Sequence, residues 1–513
     1  MSGAAVVAFF IYDATTYREH SSAEDIPVSE LALNPRRGGP KNLPVADVLV
    51  GDYDSEAMTE QKDKPRLVIL GTGWGSIALL KQLNPGDYHV TVVSPTNYFL
   101  FTPMLPSATV GTLGLRSLVE PVRRIVQRVN GHFLKGEAVD VEFSEKLVEV
   151  SGVDANGQKQ NFYVPYDKLV IGVGCTTNPH GVKGLENCHF LKTIDDARQI
   201  KNQVLENMEL ACLPTTSDEE RKRLLSFVVC GGGPTGVEFA AELFDLLNED
   251  LLYSFPKILR NEISVHIIQS PEICKKLSAK LDAQNNKHAL ETDSHLRLIG
   301  APLGDVYAIG DCSTVQNNVA DHIVSFLRTI AWEKGKDPEK LHLTFREWRD
   351  VANRVRKRFP QASNHLRRLD RLFEQYDKDH SGTLEFGELS ELLHQIDNKL
   401  TSLPATAQRA NQQGEYLGRK LTKIAAALPG MRANEIDHGD LDEAVYKAFK
   451  YKHLGSLAYI SNAAVFDFGG MNFSGGVLAM YLWRSVYFAE SVSLRTRCML
   501  AMDWAKRALF GRG

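Results

Sequence analysis

Apolar positions along this chain twice follow the same order: a short continuous apolar run, a glycine turn, then helical spacing. In PRLVILGTGWGSIALLKQL (Pro65–Leu83) the run Leu67–Leu70 reads as a buried strand, the chain turns at Gly71, Gly73 and Gly75, and a helix follows. A second strand, YHVTVVSP, ends at Ser94. LLSFVVCGGGPTGVEFAAELFDLL (Leu224–Leu247) repeats the unit, with a helix predicted to about Asn248 and a strand, ISVHIIQ, over Ile263–Gln269. YDKLVIGVG (Tyr166–Gly174) and LGDVYAIGDC (Leu303–Cys312) are two further strands ending in glycine, where a backbone can pass close to a ligand. The pattern predicts an α/β fold with two dinucleotide-binding, Rossmann-like domains.

The glycines carry the chemistry. Gly71, Gly73 and Gly75 let the backbone turn and approach a pyrophosphate on a helix N-terminus, and Ser76 stands where the third fingerprint glycine would be. Ser94 occupies the place of the acid that usually holds a ribose hydroxyl. Gly231, Gly233 and Gly236 give the full G-x-G-x-x-G spacing. Two such units imply two dinucleotides, and adjacent cofactors imply hydride transfer. Gly174 ends one strand; past the other, Asp311 can accept hydrogen bonds from a flavin ribityl chain or cap a helix.

Composition is that of a soluble globular protein of several domains, with 43% hydrophobic and 24% charged residues. A net charge of -4 over 513 residues excludes a general nucleic-acid binder. The seven cysteines are odd in number and form no C-x-x-C pair, which argues against a disulfide framework, a zinc site and a redox dithiol. The apolar run AAVVAFFIY (Ala4–Tyr12) is far short of the roughly 20 residues that span a bilayer. With no basic residue before it, it is a poor targeting peptide, and reads either as part of an anchor or as a strand.

DKDHSGTLEFGE (Asp377–Glu388) fits the twelve-residue EF-hand template at every position. Asp377, Asp379 and Ser381 supply oxygens at positions 1, 3 and 5, Thr383 a carbonyl at 7, and Glu388 both carboxylate oxygens at 12, with Gly382 at the turn. The flanking sequences have helical periodicity, so calcium is an expected ligand.

The order GTGWGS, YDKLVIGVG, GGGPTGVEFAAEL and YAIGDC resembles the flavoproteins with two dinucleotide folds. SPTNYFLFTPMLPSATVGT, LPATAQRANQQGEYLG and YKHLGSLAYISNAAVFDFGG narrow the resemblance to the mitochondrial type II, or alternative, NAD(P)H:ubiquinone oxidoreductases of fungi and plants. That resemblance implies bound FAD, NADH or NADPH as reductant, ubiquinone as acceptor, and a peripheral homodimer on the inner mitochondrial membrane. It places Thr102 and Pro103 at the flavin, and Gln408, Asn411 and Gln412 on the quinone side, where the residues alone read as a polar helix face. Glu238 matches a carboxylate that assists proton handling beside the flavin; alone it reads as a first-turn acid complementing the dipole. An inserted EF-hand resembles the calcium-responsive members that face the intermembrane space. Val477–Gly513 has six basic and two acidic residues among large apolar ones, the composition of a helix pair lying in lipid headgroups or of a dimer interface.

Gln269 ends its strand where an acid would bond the adenosine ribose; being neutral it can serve either nucleotide, so NADPH is expected to be tolerated beside NADH. Equal NADPH turnover by Gln269→Glu would overturn that expectation. After Gln269 the sequence returns to the flavin domain following a single βαβ unit, and the W-A-T-G-like strand of the family is absent. The segment near Ser270 to Leu281 reads as the scar of a removed block, from a skipped exon, a faulty gene assignment or a natural short form. Such a unit would leave an unpaired sheet edge and uncovered apolar faces. The expected division is 1–64 N-terminal extension, 65–223 FAD-binding domain first part, 224–282 truncated NAD(P)H domain, 283–340 FAD-binding second part, 341–400 EF-hand insertion, and 401–513 quinone, dimer and membrane region. Two functions follow: a non-pumping NAD(P)H:ubiquinone oxidoreductase responsive to calcium, or a calcium-binding, membrane-surface flavoprotein with little dehydrogenase activity.

Overall fold

Five parallel strands organise the molecule, and the C-terminal ends of these strands carry the glycine loops. In the computed structural model the described residues are 11–12, 28–175, 187–231, 233–256, 259, 262–268, 290–302, 304–315, 342–344, 349, 383–385, 406–427, 445–447, 449, 451–452, 456–460, 463–467 and 472–511. Gln269 and, of the EF-hand ligands, Asp377, Asp379, Ser381 and Glu388 lie outside them, as do residues 270–289, where the removed block was expected.

The first unit is β1 (Arg66–Leu70), α1 (Trp74–Leu80) and β2 (His89–Ser94), followed by β3 (His132–Lys135). An antiparallel meander comes next: β4 (Glu137–Glu142), β5 (Leu147–Val153) and β6 (Lys159–Pro165), with a bulge between Ala138 and Asp140. β7 (Lys168–Ile171) returns to the parallel sheet, and α2 (Ile194–Ala211) leaves it behind a Thr193/Asp196 capping box. The second unit is β8 (Ser226–Cys230), α3 (Pro234–Asp245) and β9 (Ser264–Ile268). β10 (Val306–Ala308) then completes the first sheet, whose order is β10-β7-β1-β2-β3. The second unit is therefore inserted between two neighbouring strands of the first.

One face of the large sheet packs Leu67, Ile69, Val90 and Val92 against helical residues including Leu79, Leu417 and Leu421. The other buries Val68, Leu70 and Val93 under Val148, Val150 and Val164 of the meander. Cover on both faces explains why β1 and β2 read as unbroken apolar runs. The long helix α4 (Ala407–Ala427) lies on α1. Backbones touch there: a Cβ on Gly414 would fall inside contact distance of the Gly75 carbonyl, and one on Gly418 would lie 2.6 Å from that of Leu79.

The helix predicted to stop near Asn248 goes further. Past α3 it widens into a π-turn, Leu246–Asp250, and resumes over Leu251–Ser254. Its apolar face, with Leu243, Leu246 and Leu247, packs on Ile200, Val204 and Met208 of α2, and that burial carries it on. Among the described residues β8 and β9 form a two-stranded sheet, with Val228 54% and Ile267 48% exposed.

The C-terminal region is a meander, β11 (Ser456–Ile460), β12 (Ala463–Asp467) and β13 (Asn472–Gly475), followed by α5 (Val477–Glu490) and α6 (Leu494–Phe510). The predicted helix pair is thus present. No helix among the described residues is long and apolar enough to cross a membrane. The pair leaves Leu478 80% and Phe510 83% exposed, with Tyr481, Leu482, Leu494 and Leu509 also exposed.

Candidate active site

Gly71 turns the chain out of β1 at φ +96°, and a Cβ there would collide with the Gly172 carbonyl after β7. Only glycine satisfies both the dihedral and the space. Around Gly73, by contrast, a Cβ would meet nothing within 4 Å, so the loop has an open side for a ligand. Ser76 is fully buried, and Gly172 makes room for it, since a Cβ there would stand 2.6 Å from Ser76 Oγ. The substitution at the third fingerprint position is thus compensated on the neighbouring strand. Gly75 belongs to the α1–α4 contact instead.

Ser94 ends β2 beside this loop, buried in a hydroxyl cluster: its Oγ lies 3.2 Å from both Thr72 Oγ1 and Thr96 Oγ1. Thr102 accepts the Trp74 indole N–H at 3.1 Å, and Pro103 follows it in a single 3₁₀ turn, Thr102–Met104. Gly174, at φ +69°, ends the segment after β7.

Asp311 sits within the 3₁₀ turn Gly310–Cys312 after β10, not at its cap. Its Oδ1 is buried without a hydrogen-bond partner in the protein, an arrangement that costs free energy unless a ligand supplies a donor. Flavin ribityl hydroxyls are donors of the right kind, and with the open glycine loop the residues present fit FAD. Sequence reading missed what braces this turn. Arg409 and Gln413, one turn apart on α4, are both buried; Arg409 donates to the Gly310 carbonyl at 2.7 Å, and Gln413 Oε1 accepts the Gly310 N–H at 2.8 Å. Their i, i+4 spacing inside AQRANQQGEYL was the available signal.

The second loop repeats the geometry. Gly231 has φ +129°, a Cβ on Gly236 would fall on the Gly231 carbonyl oxygen, and Gly233 faces open space. Two turns of α3 carry three buried acids, Glu238, Glu242 and Asp245. Glu238 Oε1 accepts the Tyr459 backbone N–H at 3.1 Å. Burial pushes its carboxyl up to about 7; the Tyr459 amide draws it down and Glu242 raises it further. Glu242 is held by Ser107 at 2.7 Å and Thr112 at 2.8 Å, and Asp245 lies 3.4 Å from the Tyr459 hydroxyl. Glu242 and Asp245 also escaped sequence reading, because their partners stand on distant segments.

From Glu238 an aromatic row runs across the molecule. Tyr459 packs on Trp483 at 5.2 Å, Trp483 on Tyr487 at 5.0 Å, Tyr487 on Phe101 at 6.2 Å and Phe101 on Trp74 at 5.2 Å. Trp74 and Phe99 then line a cavity of about 280 Å³ with Ile77, Asn411, Glu490 and Val492, bounded by α1, α4 and the junction of α5 with α6. Of the three candidates on α4, Asn411 reaches this cavity. Gln408 accepts the Tyr451 hydroxyl at 2.9 Å, and Gln412 clamps the Lys452 backbone at 2.7 and 2.9 Å. Cys175, Cys212, Cys230, Cys312 and Cys498 carry free thiols, and burial pushes the Cys312 thiol up to about 11, a poor nucleophile.

Fold and loops define the class: an α/β flavoprotein of the FAD/NAD(P) type, in accord with a match of residues 65–284 to the profile of the pyridine nucleotide-disulphide oxidoreductases. Residues 453–513 match the NDH2 C-terminal domain. The chain is 33% identical to the external alternative NAD(P)H-ubiquinone oxidoreductase B3, mitochondrial, of Arabidopsis thaliana, covering 90% of this chain and 92% of that one. It is 36% identical to the external NADH-ubiquinone oxidoreductase 2, mitochondrial, of Saccharomyces cerevisiae, covering 89% and 83%. The structure of NDH2 from Plasmodium falciparum in complex with NADH is similar at a TM-score of 0.68 and 26% identity, covering 88% of this chain and 99% of that one. The chain belongs to the type II NADH-ubiquinone oxidoreductase (NDH2) family.

Proposed function

We propose that this protein oxidises NADH, and NADPH beside it, and reduces ubiquinone at the surface of a mitochondrial membrane without pumping protons. Bound FAD would supply the two-electron chemistry between nicotinamide and quinone. Asp311 and the Gly71–Gly73 loop would hold it; Gly231, Gly233 and Gly236 would hold the nicotinamide dinucleotide. The observation that carries the reading is Glu238: buried and poised near neutrality, its carboxyl can hold or release a proton at Oε2, the oxygen the Tyr459 amide leaves open, as quinone charge changes. Asn411 and Trp74 frame the cavity on the quinone side, and the exposed apolar face of α5 and α6 gives a lipid-soluble acceptor a surface to arrive from. The relatives' mitochondrial names support the compartment; the inner membrane's outward face and a homodimer complete the proposed setting.

Calcium enters the same proposal. Thr383–Glu385, positions 7 to 9 of the loop, pair antiparallel with His342–Thr344, Leu343 opposite Leu384. Counted along the sequence, the residues seven, five and three places before Leu343 are Lys336, Pro338 and Lys340, none of them a calcium ligand, so the sequence offers no second set of loop oxygens at that spacing.

A second reading has its own support. The Arabidopsis relative aligns over 542 positions against about 462 residues of this chain, about 80 without a counterpart, and the Saccharomyces relative over 484 against about 457, about 27. The larger figure is the length of two or three βα units and the smaller that of one, and exposed Val228 and Ile267 suit a sheet that lost neighbours. Anaerobic titration of the flavin absorbance with NADH or NADPH decides between the two. Bleaching establishes the dehydrogenase; bound flavin that stays oxidised with both nucleotides leaves the calcium-binding flavoprotein.

A further inference from the structure

At the end of the sheet opposite the glycine loops, where β2 and β3 begin, three side chains converge that the redox reading does not use. Asp52 Oδ1 lies 2.8 Å from His89 Nε2 and 2.8 Å from His132 Nε2. The potential ligand atoms of the three all lie within 4.8 Å of one another. Asp52 and His89 are buried, and His132 is partly open to solvent. The other Asp52 oxygen accepts the Leu49 N–H at 2.7 Å, which fixes the carboxylate plane.

We propose that Asp52, His89 and His132 are the protein ligands of a divalent transition metal, zinc foremost, with water completing the coordination. Two imidazoles and one carboxylate, without thiolate, are a donor set for zinc and its first-row neighbours. Both rings aim the same nitrogen at a single oxygen. A clasp needs only one such hydrogen bond, whereas a shared metal needs all three atoms turned to one point. With bonds of about 2.0–2.1 Å, tetrahedral ligands stand roughly 3.3 Å apart. The present 2.8 Å contacts are the ligands closed on each other by hydrogen bonds, and opening by about half an ångström admits the ion.

Support and access are both present. His89 and His132 sit on strand ends, which hold a site more rigidly than loops. The Leu49 amide orients the third ligand, as outer-shell groups do in metal sites. Gly51 leaves the approach clear: a Cβ there would stand 3.3 Å from His132 Cε1 and 3.1 Å from Asp54 Oδ2, so an exposed second carboxylate waits at the mouth. The metal would staple the segment before β1 to the flavin-domain sheet, adding binding energy to folding.

The test uses the full-length FAD-loaded protein, dialysed against chelator and then against zinc, with metal content and melting temperature both measured. About one tightly held zinc per chain, a melting temperature that rises by several degrees on zinc, and the loss of both in His132→Gln are expected. Affinity should fall by more than the roughly 100-fold that outer-shell changes cause. Asp52→Asn, which keeps the shape and most hydrogen bonds, should bind no zinc yet fold. A protein that holds no zinc, or whose zinc is indifferent to both substitutions, overturns the proposal and leaves a hydrogen-bonded clasp only.

Discussion

Glu238 on α3 and Tyr459 on β11 are joined by a 3.1 Å hydrogen bond from the Tyr459 backbone to the carboxylate. The contact ties the helix of the second glycine loop to the C-terminal region through one titratable group.

That group should control a pH dependence. Its folded value of about 7 lies above its ordinary 4.5. Between those values the native state keeps a proton that the unfolded chain has lost, so this carboxyl's contribution to stability is full below pH 4.5 and is lost as pH rises through 7. The span corresponds to about 3 kcal/mol. Glu238→Gln should remove that slope, raising the melting temperature relative to the parent at pH 8 more than at pH 5. It should also lower quinone reduction by about 10²–10⁴-fold while leaving flavin reduction by NADH intact. A variant with unchanged quinone turnover and an unchanged stability slope would contradict the role.

The third glycine of the second loop admits a sharper test. A Cβ on Gly236 would land on the Gly231 carbonyl, so Gly236→Ala must push the loop away from the helix that receives the dinucleotide. Flavin content should stay near one per chain, because the first loop is untouched. Stopped-flow reduction by NADH should collapse or vanish. The control is Gly75→Ala, which strains the α1–α4 contact near Ile309 and Ala410 and should cost stability, of order 1–3 kcal/mol, before activity.

How much of this was legible in the sequence depends on the range of each interaction. β1, β2 and both glycine loops were legible because apolar runs and turn glycines act within a few residues. Asp311 could be placed from its offset to a strand end, and Glu238 from the resemblance to the type II enzymes, its offset alone giving only a first-turn acid. The bracing of Gly310 by Arg409 and Gln413 was not legible, since it spans about a hundred residues and exists only once α4 lies on α1. The same holds for Glu242 with Ser107 and Thr112, and for Asp52 with two histidines on separate strands. The π-turn that carries α3 past Asn248 follows from packing on α2, not from its own residues.

Membrane attachment should reside in α5 and α6. Leu478 and Phe510 project almost fully into solvent, and each apolar side chain transferred to lipid is worth about 1.5–3 kcal/mol. In flotation with vesicles containing anionic lipid, Leu478→Glu with Phe510→Glu should cut the partition coefficient at least about tenfold per residue, while soluble-quinone turnover persists. Attachment that survives both changes but fails in high salt would move the anchor to the arginines.

Calcium dependence, finally, should hinge on position 12 of the loop. Glu388 is the one ligand expected to give two oxygens, so Glu388→Gln removes both a charge and the bidentate grip. Calcium binding measured by calorimetry should fall by orders of magnitude, and any difference in turnover between calcium and chelator should disappear. Because the sequence has Lys336, Pro338 and Lys340, none of them a calcium ligand, at the corresponding spacing before Leu343, stoichiometry in the parent should be one. Two calcium ions per chain would mean that the pairing through Leu343 and Leu384 joins two competent loops, and the single-ion switch would have to be abandoned.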